Sequence, residues 1–375
     1  MTEQYDVAIA GGGPAGTATA LALARAGLSS VVLEATKYDR MRIGETLPPI
    51  ARVPLTQLGV WERLIGDGHT PSPGSISAWG QPDLYEEHFI FNANGHGWHL
   101  DRARFDEMLA AAAEDAGATV YRGAHLGSCV LTSPTGDWQL SVSVEGVSRK
   151  LRATFLVDAT GRASSHARHQ GARRVDYDRL VGVAGLCPSD TLRGLHGPMT
   201  LVEGCELGWW YSAALPNGRL IVVFMTDADL WARDGRRGLK QWRQQLAQTS
   251  HTRARMTDLS FNTVLSVRTA RTSKLDLIAG RRWLAVGDAA QTFDPLSSHG
   301  ITTALRAGLA AASAIERWAN GDSDALAGYQ QQVQNEFDAY LKARAVHYSR
   351  ERRWPESVFW HRRHAMSGDA VLSRS

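Results

Sequence analysis

The sequence predicts an α/β fold in which an open parallel sheet is interrupted by an inserted mixed-sheet domain. Residues 5–10 form a short apolar run followed by glycines, a helical pattern runs from Pro14 to about Ala26, and a second apolar run covers Val31–Leu33. This order of strand, glycine turn, helix and strand opens a parallel sheet. A strand at Trp283–Val286 and a small-residue-rich helix at Ile301–Trp318 are predicted near the other end. The material between the two segments is therefore predicted to be inserted.

Between these two ends the sequence predicts further strands and helices. Residues 129–155 alternate between apolar and polar types and predict a small meander, residues 180–225 are predicted to be strands joined by turns, and a helical stretch begins at about Ala325. The predicted cofactor domain comprises residues 1–72, 98–170 and 268–325, the substrate domain residues 73–97 and 171–267, and the C-terminal helical segment with a polar tail residues 326–375.

The composition is that of an ordinary globular protein. Of the 375 residues, 43% are hydrophobic and 21% are charged, and the net charge of +3 comes from an arginine excess that does not by itself indicate nucleic acid. The cysteines Cys129, Cys187 and Cys205 have neither metal nor disulfide spacing. No basic region followed by an apolar run opens the sequence, and no apolar stretch is long enough to span a membrane. We therefore expect a cytoplasmic protein with no metal, membrane or nucleic-acid partner.

The glycines after the first strand fit the pattern G-x-G-x-x-G. Gly11 would allow the tight turn, Gly13 would let the backbone approach a pyrophosphate, and Gly16 would let the helix pack closely on the sheet. The phosphates would lie at the helix N-terminus, at Pro14 and Ala15, because free N–H groups and the helix dipole favour anions there. The segment therefore predicts a dinucleotide site.

The distal segment distinguishes FAD from NAD. Glu34, at the end of the second strand, would bind a ribose hydroxyl in either cofactor. Asp288 follows a later strand end, where a carboxylate suits a ribityl hydroxyl. The helix that begins after Gly300 would aim its positive end at the flavin pyrimidine ring and stabilise the anionic reduced form by roughly 0.3–2 kcal/mol. The distal residues assigned to FAD are Gly287, Asp288, Pro295, Gly300 and Ile301.

On these motifs the chain resembles flavoproteins of the p-hydroxybenzoate hydroxylase fold, which include flavin-dependent halogenases and geranylgeranyl reductases. The resemblance implies a Rossmann-type FAD-binding domain with an inserted substrate domain. It places Arg42 and Arg102 near FAD, Asp158 and Gly161 in support of the adenosine side, and Asp288 at the ribityl–pyrophosphate region. The segments that match are Gly11–Gly16, Arg42–Pro49, Asp101–Asp106, Leu156–Arg162 and Gly287–Gly300.

Within that fold the sequence is most similar to the maturation flavoproteins of lysine-oxidase and glycine-oxidase type. These are implicated in building a tryptophan-derived quinone in a partner protein. The resemblance therefore implies a precursor protein that carries the target tryptophan as substrate. The segments that carry the similarity are residues 42–49, 208–216, 294–300 and 351–360.

Two other activities of the superfamily fit the sequence less well. Halogenases need a lysine about thirty residues beyond the Gly-Glu-Thr motif, but no lysine occurs between Lys37 and Lys150. Tryptophan halogenases also place a glutamate where this chain has Ser297. Geranylgeranyl reductases need a long apolar tunnel, which the polar and aromatic central segment disfavours.

The sequence therefore favours an FAD-dependent monooxygenase that hydroxylates an aromatic ring with molecular oxygen as co-substrate. Its electron donor would be NAD(P)H or a partner flavin reductase. The candidate catalytic residues are His299, Glu45, Tyr211 and Trp210. Each also has a structural interpretation: a backbone-bonded loop histidine, a cap of the turn at 48–49, and aromatic core or platform residues.

Two alternatives to this function stay open at the level of sequence. The first is a flavin-dependent hydroxylase or reductase that acts on a small molecule. The second is a non-catalytic flavin-binding maturation chaperone, in which the flavin is structural. Flavin turnover that a substrate accelerates would separate the chaperone from both enzymes.

Overall fold

The computed structural model of the protein describes residues 2–133, 136–188, 197–232, 238–256 and 263–372. Its strands are β1 (Glu3–Ala10), β2 (Ser30–Glu34), β3 (Thr46–Leu47), β4 (Thr70–Ser72), β5 (Gly74–Ala78), β6 (Tyr85–His88), β7 (Gly97–His99), β8 (Thr119–Arg122), β9 (Ala124–Leu131), β10 (Trp138–Val144), β11 (Val147–Asp158), β12 (Arg174–Asp176), β13 (Leu180–Pro188), β14 (Thr200–Cys205), β15 (Gly208–Ala214), β16 (Arg219–Asp227), β17 (Ser266–Thr269), β18 (Ser273–Leu275), β19 (Ala279–Gly280), β20 (Trp283–Ala285) and β21 (Gln291–Thr292). Its helices are α1 (Pro14–Arg25), α2 (Arg52–Gln57), α3 (Trp61–Gly66), α4 (Arg102–Asp115), α5 (Ser165–His169), α6 (Ala228–Ala232), α7 (Leu239–Leu246), α8 (His251–Ala254), α9 (Gly300–Ala319), α10 (Ala325–Ser349) and α11 (Val358–Leu372).

The first sheet has the parallel core that the sequence predicts. Its order is β19-β20-β11-β1-β2-β8, and β1 pairs in parallel with both β2 and β11. The predicted meander is β9-β10-β11, whose last strand is long enough to continue into the parallel core. The apolar runs of β1 and β2 are buried because helices cover this sheet.

Helices α1 and α9 pack against each other in unusually close contact. A methyl group at Gly308 of α9 would lie only 2.6 Å from the Cβ atom of Ala18 in α1. The small residues that both helices carry at this contact therefore allow the two backbones to approach. The approach brings the N-termini of both helices to the same end of the sheet.

The second sheet is mixed and has the order β17-β13-β16-β15-β14-β5-β6. Its strands pair antiparallel except for β14 and β5. One face packs with α6–α8 through Trp231, Trp242 and Leu246. The other face packs with the C-terminal helices through Phe359 and Trp360. The fold class predicted from the sequence is confirmed, because a helix-covered parallel sheet is joined to a mixed sheet and a C-terminal helical segment.

The C-terminal segment is helical, as predicted, and α11 extends to Leu372. The last three residues of the predicted polar tail lie outside the described residues. In the part of the chain that the structure describes, we find no helix with the length and hydropathy that a membrane span requires.

Candidate functional site

A cavity of about 1210 Å³ lies between the carboxyl ends of the parallel strands and one face of the second sheet. Its volume exceeds the roughly 300–1,000 Å³ that is typical of small-ligand sites, so it has room for a dinucleotide together with a substrate. The position follows the general rule for open α/β sheets, in which ligands bind beyond the carboxyl ends of the strands. The predicted site residues that line it are Gly11, Gly13, Pro14, Ala15, Glu34, Arg42, Glu45, Arg102, Gly161, Tyr211, Asp288, Pro295, Gly300 and Ile301.

The first turn of this site depends on two glycines. Gly11 has a φ of +111°, and a Cβ atom there would overlap the carbonyl oxygen of Ala159. Gly16 lies behind the lining, where a Cβ atom would overlap the carbonyl oxygen of Gly11. The tight turn and the close helix packing predicted for these positions are both present. No side chain caps the N-terminus of α1 at Gly13, so its first N–H groups are available to an anion.

Glu34 is buried at the end of β2 and organises this turn. One oxygen of its carboxylate accepts a hydrogen bond from the backbone N–H of Gly12 at 2.8 Å. The other accepts from the Thr36 hydroxyl at 2.5 Å and from Arg42 Nη2 at 2.9 Å. Because each carboxylate oxygen has two lone pairs, the oxygen bound to Gly12 keeps one for a ribose hydroxyl.

Arg42 and Arg102 are held together by Asp106, a residue that the sequence analysis did not single out. The buried carboxylate of Asp106 accepts from Arg42 Nη1 at 3.1 Å and from Arg102 Nη2 at 3.1 Å. Burial raises the pKa of Asp106, and the two arginines oppose that rise. The only sequence indication was its place in the segment Asp101–Asp106. Asp106 thus orients two cations toward the cavity.

Replacement of Asp106 with asparagine is expected to weaken FAD binding about tenfold and to destabilise the fold by roughly 1–3 kcal/mol, because the partly buried Arg42 and Arg102 lose the anion that they share. Flavin titration and denaturant unfolding measure the two effects. Asp115→Asn, at the exposed end of the same helix, is the matched control, since its ion pair with Arg63 lies at the surface. Equal effects of the two substitutions would contradict the role of Asp106.

The distal half of the cavity presents a carboxylate and a helix N-terminus. Asp288 follows β20 and forms an ion pair with Arg162 at 3.3 Å, with its side chain partly exposed to the cavity. Helix α9 begins at Gly300 with no side-chain cap, so its N–H groups and dipole face the cavity near Pro295 and Ile301. These positions suit a ribityl chain and the anionic edge of a reduced flavin.

Three predicted cofactor residues stand behind the lining instead of forming it. Asp158 is 1% exposed and accepts hydrogen bonds from the backbone N–H groups of Thr160, His166 and Ala167. It therefore shapes the loop that brings Gly161 to the cavity. Gly287 packs against Ala15, and Gly16 packs against the turn. All three act on the site through its backbone.

Two of the four catalytic candidates line the cavity and two do not. Tyr211 and Glu45 line the cavity, and the buried Tyr211 hydroxyl donates a hydrogen bond to Glu45 Oε1 and accepts one from Thr46 Oγ1 at 2.6 Å. Burial and then the Glu45 carboxylate raise the pKa of Tyr211 well above its ordinary value, so the hydroxyl stays protonated. Glu45 Oε2 also accepts from the Gly44 N–H at 2.9 Å.

Trp210 and His299 are not at the cavity surface. Successive side chains of a strand point to opposite faces, so Trp210 faces away from Tyr211 and stacks on Phe224 at 4.8 Å between ring centroids. Its catalytic assignment does not fit this position. His299 is exposed just before α9, and the lining contains its neighbours Ser298 and Gly300 without His299 itself.

His99 lies behind Glu45 and Tyr211 and was assigned no role from the sequence. Its Nε2–H donates to the carbonyl oxygen of Pro198, and its Nδ1 lies 3.4 Å from Thr46 Oγ1, whose one proton is donated to the Tyr211 hydroxyl. The ring is completely buried, and burial lowers the pKa of His99 to about 4. The neutral ring therefore packs beside the Thr46 hydroxyl that contacts Tyr211.

The buried neutral His99 is expected to make the protein less stable in mild acid. Its pKa is 6.5 in the unfolded chain and about 4 in the folded chain, so the unfolded state binds more protons between these values. Stability should rise with pH across this window by about 3 kcal/mol in total. Unfolding measured from pH 4 to 7 tests the slope, which His99→Asn should reduce. An unchanged slope in that variant would contradict the assignment.

The cavity matches FAD in its donor set as well as in its size. One end offers the free N–H groups of α1 and two arginines to a pyrophosphate, and Glu34 to a ribose. The other end offers Asp288 and the N-terminus of α9. The separation of these groups along one continuous cavity fits an extended dinucleotide.

Comparisons with known proteins agree with this geometry. The model of a family described as "FAD binding domain" matches residues 4–336. The chain is 33% identical over 371 residues to "Putative FAD-dependent oxidoreductase LodB" from Marinomonas mediterranea, covering 97% of this chain and 98% of LodB. Among solved structures, the flavin-dependent halogenase CmlS has a TM-score of 0.84 at 24% identity and covers 97% of this chain and 68% of its own. The peptidyl tryptophan dihydroxylase QhpG has a TM-score of 0.77 at 23% identity, and the match covers 96% of this chain and 78% of the QhpG chain.

The two structural likenesses establish the fold, and the family match and the LodB-like relative establish the family. The chain belongs to the FAD binding domain family and is an FAD-dependent oxidoreductase.

Proposed function

We propose that the protein is a monooxygenase that hydroxylates a tryptophan side chain in a partner protein during maturation of a quinone cofactor. The observation that carries the proposal is the continuity of one cavity from the FAD cradle to the apolar face of the second sheet. That face contributes Ala184, Ile221, Val223 and Met225. An aromatic ring has room to lie on this floor beside the flavin end of the cradle.

The reaction requires two electrons and one molecule of oxygen. FAD held in this cradle, and reduced by NAD(P)H or a flavin reductase, would supply the electron pair needed to split dioxygen. One oxygen atom replaces hydrogen on the ring carbon as a hydroxyl group, and the other leaves as water. These two products take up three protons and the ring carbon releases one, so the net uptake is two protons. The electron-rich indole ring suits this transfer.

The residues of the chain have three tasks in this reaction. The apolar floor excludes water from the reacting ring, and the arginines orient the cofactor. Tyr211 lines the cavity, and its hydroxyl, kept neutral by burial, donates a hydrogen bond to Glu45. A proton lost from the ring carbon can therefore pass through the Tyr211 oxygen to the Glu45 carboxylate.

Hydroxylation accounts for the lining better than halogenation does. Among the described residues that line the cavity there are arginines but no lysine, and Ser297 lines it where tryptophan halogenases place a glutamate. A lysine-dependent chlorination therefore has no residue to perform it here. The likeness to QhpG, a peptidyl tryptophan dihydroxylase, supports the choice of substrate.

The proposed function is tested by purifying the tagged chain with its partner from the native host. The complex is given NAD(P)H, a flavin reductase and isotopically labelled dioxygen, and the partner is analysed by mass spectrometry. Label on a tryptophan of the partner is the expected result. Label only on a free indole compound would instead support a small-molecule hydroxylase. A flavin that never consumes oxygen with either substrate would support a chaperone role.

A further inference from the structure

The outermost strand of the second sheet, β17, forms one wall of the cavity. It pairs antiparallel with β13, with Arg268 opposite Gly182 and Ser266 opposite Ala184. The side chains of Ser266 and Arg268 lie on the cavity face, and both residues line the cavity. One side of the cavity is therefore bordered by the edge of a sheet.

Among the described residues, the backbone groups on the outer side of β17 have no strand partner. The N–H of Ala270 donates to the carbonyl of Leu180 at 2.9 Å, which fixes the alternation of the ladder. Arg268 and Ser266 therefore bond inward to β13, while the N–H and C=O of Val267 and Thr269 point outward. Within the described ranges, no strand pairs with this outer side.

This edge lacks most of the features by which proteins prevent strand addition. It has no proline and one charged residue, and its one apolar side chain, Val267, is 49% exposed, while Val264 just before the strand is 93% exposed. The guanidinium of Arg268 is exposed and forms no hydrogen bond or ion pair with the described residues. The edge therefore offers a backbone ladder, apolar contacts and one free positive charge.

We propose that an extended segment of the protein substrate adds to β17 as a further strand and presents its tryptophan to the cavity. This inference rests on the proposed function and names the docking mode for its substrate. Strand addition is an established way to bind peptides, because the main chain supplies affinity and alternate side chains supply specificity.

The geometry of strand pairing directs the target side chain. Residues directly opposite each other in neighbouring strands point to the same face, so a peptide residue opposite Ser266 or Arg268 points into the cavity. The small residues Gly182 and Ala184 lie next to them on β13 and leave space on that face. An acidic peptide residue two positions from the tryptophan would lie on the same face, where it can pair with Arg268.

The experiment compares short synthetic tryptophan peptides, each with an acidic residue two positions from the tryptophan, with N-acetyltryptophan amide. The wild-type protein should hydroxylate the peptides with a kcat/KM at least about tenfold higher than the amide, since two or more backbone hydrogen bonds and one ion pair are added. N-methylation of the peptide amides that face β17 should remove this advantage.

Two variants test the protein side. Val267→Pro removes an outward N–H without breaking a bond to β13, and Arg268→Glu reverses the charge with the backbone intact. Both should lower the peptide kcat/KM toward the value for the amide, whereas Val267→Ile, which keeps the N–H, should retain it. Flavin content and thermal unfolding report whether each variant folds.

The outcomes distinguish a failure of the proposed strand addition to β17 from a failure of the proposed tryptophan hydroxylation. A wild-type protein that hydroxylates neither the peptides nor the amide contradicts the proposed function and this inference together. Equal kcat/KM for peptides and amide, or full peptide activity in both Val267→Pro and Arg268→Glu, contradicts the docking edge alone.

Discussion

Replacement of Gly16 with alanine is expected to abolish retention of FAD during purification and to destabilise the fold by about 1–3 kcal/mol, the usual cost of overpacking a close contact. The added methyl group would overlap the carbonyl oxygen of Gly11, a backbone atom that cannot move without opening the turn. Helix α1 would be displaced from the sheet, and its N–H groups would no longer point to the pyrophosphate position. The ratio of flavin to protein absorbance measures the first effect, and thermal unfolding measures the second.

Gly328→Ala is the matched control for this substitution. Gly328 also lies inside a helix, α10, but it is exposed and a methyl group there would meet no atom within 4 Å. The control should gain stability by up to about 1 kcal/mol from its better helix propensity and should keep its flavin. A Gly16→Ala protein that purifies with a full complement of FAD would contradict the role given to the turn.

The parts of the fold that the sequence could predict are those with local causes. The glycine pattern before α1 predicted both the turn and the close packing, because only glycine fits next to the carbonyls of Ala159 and Gly11. The small residues of α9 predicted a helix, although not its partner. That partner is α1, whose contact at Gly308 depends on two segments far apart in the chain.

The site was harder to predict where orientation depends on tertiary structure. Trp209, Trp210 and Tyr211 are all large and aromatic, and both faces of β15 are covered, so no alternation of polar and apolar residues distinguished the two faces. His299 follows a loop whose residues Pro295 and Ser297 line the cavity, but the turn before α9 leaves its side chain exposed to solvent. Asp106 and His99 act through other residues, and a sequence carries little indication of such roles.

Helix α10 near the C-terminus contributes to the site, although it is far from most of the site residues in the sequence. Asp294, just before Pro295, receives hydrogen bonds on its carboxylate from Tyr348 at 2.7 Å and from Arg344 at 3.4 Å. Its backbone N–H donates to the Tyr340 hydroxyl at 2.7 Å. Helix α10 therefore fixes the loop that sets the N-terminus of α9 against the cavity. The aromatic and arginine residues of this segment serve the cofactor site as well as the core.

Replacement of Tyr211 with phenylalanine is expected to lower the rate of hydroxylation about a hundredfold, within the range that a positioned acid–base group contributes. Flavin reduction and oxygen uptake should continue, because the hydroxyl lies on the proposed proton path from the ring and not in the FAD cradle. The fraction of consumed NAD(P)H that appears as hydroxylated product should therefore fall. The pH dependence below pH 10 should keep its shape, since burial and Glu45 raise the pKa of Tyr211 well above its ordinary value.

Two further variants decide whether this effect belongs to the Tyr211–Glu45 pair. Glu45→Gln should reproduce the loss, and the double variant should be no worse than either single one, because two residues that act on one proton path give non-additive effects. Trp210→Phe is the matched control, since it alters the neighbouring aromatic residue on the opposite face of β15 and should affect stability alone. A Trp210→Phe protein as impaired as Tyr211→Phe would show that both act through strand packing, and the proton path would then have to be abandoned.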